Sequence, residues 1–285
     1  MTSGEYIPHA PHPGLREGVI AMTAWREHSD EPLSRREVAH DAVTLILNLG
    51  PRLMVGGRHE PLRPMGSFVA AMNGHYGLTE FTGESSGIQV DMTPAFAHRL
   101  LRVPMSDLAP VVVAVDDVLG VWGTRLVERL GNTDETQTQF ALLERELLTR
   151  LAGAPPTAPD VDFAWRRLQA SDGAVPIATL VRELGCSGRH LSARFREQIG
   201  VGPKASGRII RFRRAVELLS ADDGGRYAEI AAGCGYSDQP HMNREFRALA
   251  GCSPLTLVGS RMSAVPGYAQ DEQVSFVQAA APAAA

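Results

Sequence analysis

Leu191-Ser-Ala-Arg-Phe195-Arg-Glu-Gln-Ile-Gly200-Val-Gly-Pro203 returns further along the chain as Met242-Asn-Arg-Glu-Phe246-Arg-Ala-Leu-Ala-Gly251-Cys-Ser-Pro254. The shared positions keep one offset, 191/242, 195/246, 196/247, 200/251 and 203/254. The segments ahead of them pair as well, Leu180-Val181 to Gly185 with Ile230-Ala231 to Gly235, at an offset one residue shorter. The second copy therefore has one extra residue in its turn. Two unrelated amphipathic helices would share apolar positions, but not an arginine, a glycine and a proline besides. The chain repeats a helix–turn–helix unit.

Around the repeat, residues 160–261 read as helical throughout. Val161, Ala164, Trp165 and Leu168 mark one face of a first helix. Pro176 opens a second, and Ser187 caps a third that runs to Gly200. A long helix over about Ser206–Ser220 joins the two units. Two shorter ones follow, about Tyr227–Cys234 and Asp238–Ala250. At 100° per residue, Leu191 and Phe195 face inward in the first unit, as Met242 and Phe246 do in the second. The opposite faces carry Arg189, Ala193 and Arg196, and Pro240, Arg244 and Arg247, flanked by Ser192 and Asn243. Arginine binds guanine bidentately in the major groove and asparagine does the same for adenine. Two such helices about one DNA turn (~34 Å) apart would read successive major-groove segments.

The charge pattern agrees. The chain has 285 residues and a net charge of −4, but the charge is divided: −6 over 1–159, +4 over 160–261 and −2 beyond. Cys186–Arg214 holds eight basic residues against Glu197 alone. A basic half beside an acidic one points to a polyanionic partner.

Gly235-Tyr-Ser-Asp-Gln-Pro-His-Met-Asn-Arg-Glu-Phe246 with Gly251-Cys-Ser-Pro254 resembles the signature of the AraC family of bacterial transcription regulators. The first copy and the Arg211-Phe-Arg-Arg-Ala215 to Leu218-Leu219 helix resemble it too, over about Asp160–Leu257. The resemblance implies a sequence-specific DNA-binding transcription regulator, with double-stranded DNA and RNA polymerase as partners and a small-molecule effector. It places Arg189, Ser192, Gln239, Asn243 and Arg244 at base-reading positions. Arg194, Arg196, Arg208, Arg211 and Arg247 become phosphate-contact candidates, which fix register without encoding sequence. Ala193 and Pro240 stand where many members carry a polar reader.

Ahead of the repeat, Ala152–Pro159 (AGAPPTAP) reads as a linker. Residues 1–151 form the other domain. Val43–Leu49, Leu53–Val55, Phe68–Met72 and Gly87–Val90 are short apolar runs between turns such as Gly50-Pro51 and Gly56-Gly57, the pattern of a small β-barrel or sandwich. From about residue 94 the pattern becomes helical, with Thr93 as cap and Pro94 at the first position. More weakly, this half resembles the cupin-like sensory domains of some AraC-type regulators. The expected fold is a multidomain α+β chain: a cupin-like sensory and dimerisation domain with trailing helices, then an all-α double helix–turn–helix domain. Phe140, Leu143, Leu147 and Leu151 form a stripe in Thr133–Leu151 that packs on its own domain or pairs with a second subunit as a homodimer. Residues 262–285 read as a disordered tail, docked at most through Phe276 and Val277.

Other classes recede. Three cysteines make no disulfide scaffold and no Cys-x-x-Cys metal or redox motif. The N-terminal half has no cysteine, so a fused DNA-repair methyltransferase with its zinc–cysteine cluster is excluded. No apolar run is long enough to span a bilayer and the first residues lack a secretory pattern, so the expected location is cytoplasmic, with no membrane partner. The rival reading is a metal-dependent cupin-type enzyme using His59 and His75. The histidines lie in separate segments without a His-x-His pair, so no metal, cofactor or catalytic residue is assigned.

Overall fold

The computed structural model describes residues 2–58, 60–109, 112–221, 226–262 and 265–270. Among the described residues the N-terminal part is an antiparallel sheet with helices, and residues 268–269 from the end of the chain add its ninth strand. Its strands are β1 (Thr2–His9), β2 (Val19–Glu37), β3 (Val43–Asn48), β4 (Leu53–Gly57), β5 (Glu60–Met65), β6 (Phe68–Ala70), β7 (Gly77–Met92), β8 (Val112–Ala114) and β9 (Tyr268–Ala269). The order is β1-β2-β7-β3-β6-β8; β4 joins β5 to β7, and β9 pairs with β2. The sheet is open: β1 and β8 end the path without meeting.

The long strands β2 and β7 run antiparallel from Val19 opposite Met92 to Glu37 opposite Gly77, with a register break between Ser29 and Leu33. Val19, Met22 and Ala24 of β2 are buried, but so are Glu27 and Arg36, with Glu27 accepting from Arg35 Nη2; backbone pairing to β1 and β7 on either side holds Arg-Glu-His-Ser-Asp-Glu as a strand. Thr93 caps α1 (Pro94–Leu101) by accepting from the Phe96 N–H, with Pro94 in the first turn. A 3-10 turn (Met105–Asp107), α2 (Val115–Gly131) and α3 (Thr136–Leu151) complete this part. Phe140, Leu143 and Leu147 of α3 are buried with Leu126 and Leu130 of α2 and Leu100 of α1. The helix directs Phe140, Leu143 and Leu147 into its own domain, and Leu151 packs partly buried against the same cluster.

Among the described residues seven helices follow: α4 (Pro159–Ala170), α5 (Ile177–Leu184), α6 (Gly188–Ile199), α7 (Pro203–Ser220), α8 (Tyr227–Gly233), α9 (Gln239–Leu249) and α10 (Pro254–Gly259). The α+β division matches the sequence expectation. The joining helix α7 starts three residues ahead of the expected Ser206, because Pro203 suits a first turn where the missing N–H costs nothing. The two halves share a core. Ala39 and Met72 of the sheet domain are buried among the C-terminal helices, and the Ala39 N–H donates to the Leu249 carbonyl. Asp41, 8% exposed, accepts from Gln169 Nε2 of α4 and pairs with Arg213 Nε of α7, both at 2.8 Å.

Residues 265–270 depart from the expected disordered tail. Val265 is buried, and Tyr268 and Ala269 pair with Arg36 and Arg35 as an added strand. The pairing covers part of the polar edge of β2, which the low apolar content of this segment did not reveal. Residues 271–285, Phe276 and Val277 included, lie outside the described residues. No described helix is long and apolar enough to cross a membrane.

Candidate nucleic-acid interface

Both repeat units are built by the same local chemistry. Gly185 (φ 62°) and Gly235 (φ 76°) turn the chain in the left-handed region, where a side chain is strained. Ser187 Oγ then accepts from the His190 N–H at 3.1 Å, and Asp238 Oδ1 from the His241 N–H at 2.6 Å. Cap and capped histidine thus recur at the same spacing as the repeat itself. Tyr236, Ser237 and Asp238 follow the second glycine, against Cys186 and Ser187 in the first: the extra residue of the sequence comparison. Gly200 and Gly251 end α6 and α9 with positive φ, and Pro203 and Pro254 open α7 and α10.

Leu191, Phe195, Met242 and Phe246 are fully buried. Phe246 meets Phe212 of α7 edge to face at 4.8 Å, which ties the second unit to the joining helix. The opposite faces are open. Arg189, Ala193 and Arg196 on α6 are exposed and Ser192 is half-buried; on α9, Gln239, Pro240, Arg244 and Arg247 are exposed and Asn243 is half-buried. Among the described residues, Arg189, Arg196, Arg244 and Arg247 appear in no hydrogen bond or ion pair.

The remaining arginines are held. Arg208 Nε donates to Glu245 Oε1 at 2.6 Å, joining α7 to the buried side of α9. Arg211 Nη1 donates to the Gly235 carbonyl at 3.2 Å and its guanidinium lies 5.4 Å from the Tyr236 ring centroid. Burial, with the Glu245 carboxylate adding to it, pushes the Tyr236 phenol up, so that ring stays neutral. Arg194 lies 3.8 Å from Asp160, which also sits 3.4 Å from His190 Nε2. Sequence reasoning missed Glu245 and Asp160 as partners. Glu245 carried a readable signal: a carboxylate beside Phe246 on the inward side of α9 demands a cation from another element. Only the fold shows which cation that is.

His75 lies at the edge of the sheet domain, bonded within its own loop through its N–H to Asn73 Oδ1; His59 lies outside the described residues. Among those residues no group of three or more His, Cys, Asp or Glu is placed to hold a metal.

Residues 180–259 match the helix-turn-helix domain family. Among solved structures, ToxT from Vibrio cholerae is 10% identical over 90% of this chain and 98% of its own, with a TM-score of 0.48. The C-terminal domain of AraT, a response regulator from Geobacillus stearothermophilus, is 25% identical over 38% of this chain and 91% of its own, with a TM-score of 0.35. The AraC-like transcriptional activator CuxR is 18% identical over 69% and 76%, with a TM-score of 0.28. No curated protein matches the chain.

Proposed function

We propose, from the premise that residues 180–259 are an AraC-type helix-turn-helix domain, that the protein is a DNA-binding transcription regulator reading two successive major-groove segments with α6 and α9. The observation that carries this is the outward face of the two helices. Arg189 and Arg244 have no partner among the described residues, and Ser192, Gln239 and Asn243 lie beside them. A guanidinium without a protein partner on a convex helix suits guanine O6 and N7, and the Asn243 amide suits adenine. Arg196 and Arg247 are equally open and take phosphates. Arg194, Arg208 and Arg211 also carry charge toward the duplex, but each already has a partner inside the domain, which makes bracing the first role of the last two.

Arg244→Ala tests the assignment. Affinity for the preferred duplex should fall by about 1–3 kcal/mol, and discrimination should relax at one base pair. An equal loss on every duplex, whatever its sequence, would contradict base reading by Arg244.

Modulation by a small molecule belongs to the same proposal, supported by a cavity of about 370 Å³ whose walls include Trp25, Leu49, Gly87, Thr136 and Gln139. Thr136→Trp should abolish the thermal shift given by a molecule bound there; an undiminished shift would place it elsewhere.

A further inference from the structure

The sheet domain does not stand clear of the first recognition helix. A cleft of about 610 Å³ separates its Asn73–His75 loop from α6 and the start of α7. Asn73, Gly74 and His75 form one wall; Ser192, Arg196 and Lys204 stand on the other. Arg196 and Lys204 are exposed and, among the described residues, without an ion-pair partner. The cleft is continuous with the outward face of α6, because Ser192 and Arg196 belong to both. A duplex strand that puts a phosphate on Arg196 therefore runs alongside the Gly74 loop.

Resting on the DNA-binding reading above, we propose that this cleft is a composite phosphodiester site, with the Asn73–His75 loop of the sheet domain as part of the DNA interface. Charge complementarity selects the occupant. Arg196, Lys204 and Arg208 are the charged residues of the described lining, which otherwise includes apolar residues such as Ile177, Val201 and Pro203 and holds no carboxylate, and a DNA strand is the polyanion already brought to α6.

Gly74 allows a test that leaves the fold alone. It is exposed, and a Cβ there would meet nothing within 4 Å. One added cation engaging one phosphate steepens the salt dependence by about one unit and tightens binding about fivefold at ~0.15 M salt. Gly74→Arg in the full chain should do this, Gly74→Asp should weaken binding by a similar factor, and Gly74→Asn should stay near wild type. If the three variants bind alike, or weaken alike, the cleft does not face the backbone and the inference is overturned. It is also overturned if the Gly74 variants change only the response to added inorganic phosphate at fixed ionic strength, which would assign the cleft to a free anion. Arg244→Ala keeps the two claims apart. If it loses specificity while charge at Gly74 has no effect, only the composite site fails; if the wild-type chain binds no duplex, the functional reading fails first.

Discussion

Replacing Arg208 with Gln should unfold the second unit more readily and flatten the salt dependence of DNA binding less than the loss of an unpaired arginine does. The reason lies at Glu245, whose side chain is 10% exposed while that of Arg208 is 39% exposed. Losing the guanidinium leaves one carboxylate in the protein beside Tyr236, with Glu245 Oε2 buried and already lacking a hydrogen-bond partner. Breaking a buried pair from one side costs about 3–5 kcal/mol. The partial exposure of Arg208 admits water and reduces that, to about 2–3 kcal/mol here. Glu245→Gln in the Arg208→Gln background removes the stranded charge, so the double variant should recover much of the loss. Urea denaturation followed by far-ultraviolet circular dichroism reads the stability, and duplex titrations at several salt concentrations read the slope. Arg247→Gln is the contrast: stability within about 0.5 kcal/mol of wild type and a salt slope shallower by about one unit. The bracing argument is refuted if Arg208→Gln keeps full stability and lowers the slope as Arg247→Gln does.

Further consequences follow from burial and backbone geometry. Phe195→Ala and Phe246→Ala each empty a fully buried ring site and should cost about 3–5 kcal/mol in urea denaturation; a loss below 1 kcal/mol at either would show that unit to be loosely packed. Gly251→Ala places a Cβ 2.5 Å from the Tyr76 ring at a φ of 75°. It should destabilise the chain by about 2–4 kcal/mol, the sum of a strained backbone and an overpacked domain contact. Native alkylation should label Cys186 first, because Cys234 and Cys252 are 4% and 8% exposed and burial pushes the Cys234 thiol up. Mass spectrometry checks this, and early labelling of Cys234 would contradict the packing described.

How much of this was legible beforehand differs between the halves. In the C-terminal half the repeat specified both units, because apolar spacing, turn glycines, caps and prolines are local signals and agree with one another. In the sheet domain the mainly apolar runs, such as Val43–Asn48, were readable as strands. The first two strands were not, since β1 and the charged middle of β2 depend on partners far along the chain for their hydrogen bonds. The same limit governed the site. Which residues face outward from α6 and α9 follows from helical periodicity, whereas the attachment of Arg208 to Glu245 and of Arg213 to Asp41 depends on tertiary placement. A count of arginines therefore overstates the charge left for DNA. The approach of the Asn73–His75 loop to α6 had no sequence signal, because it is set by how the domains dock.

The most direct test of the central claim is selection of bound sites from a random duplex pool of ~30 base pairs, at ~150 mM salt to suppress phosphate-only binding. The full chain should enrich two short blocks about one helical turn apart, with Arg189→Ala erasing preference in one block and Arg244→Ala in the other. A single block would mean that one helix only positions the protein. No enrichment would contradict sequence reading by both.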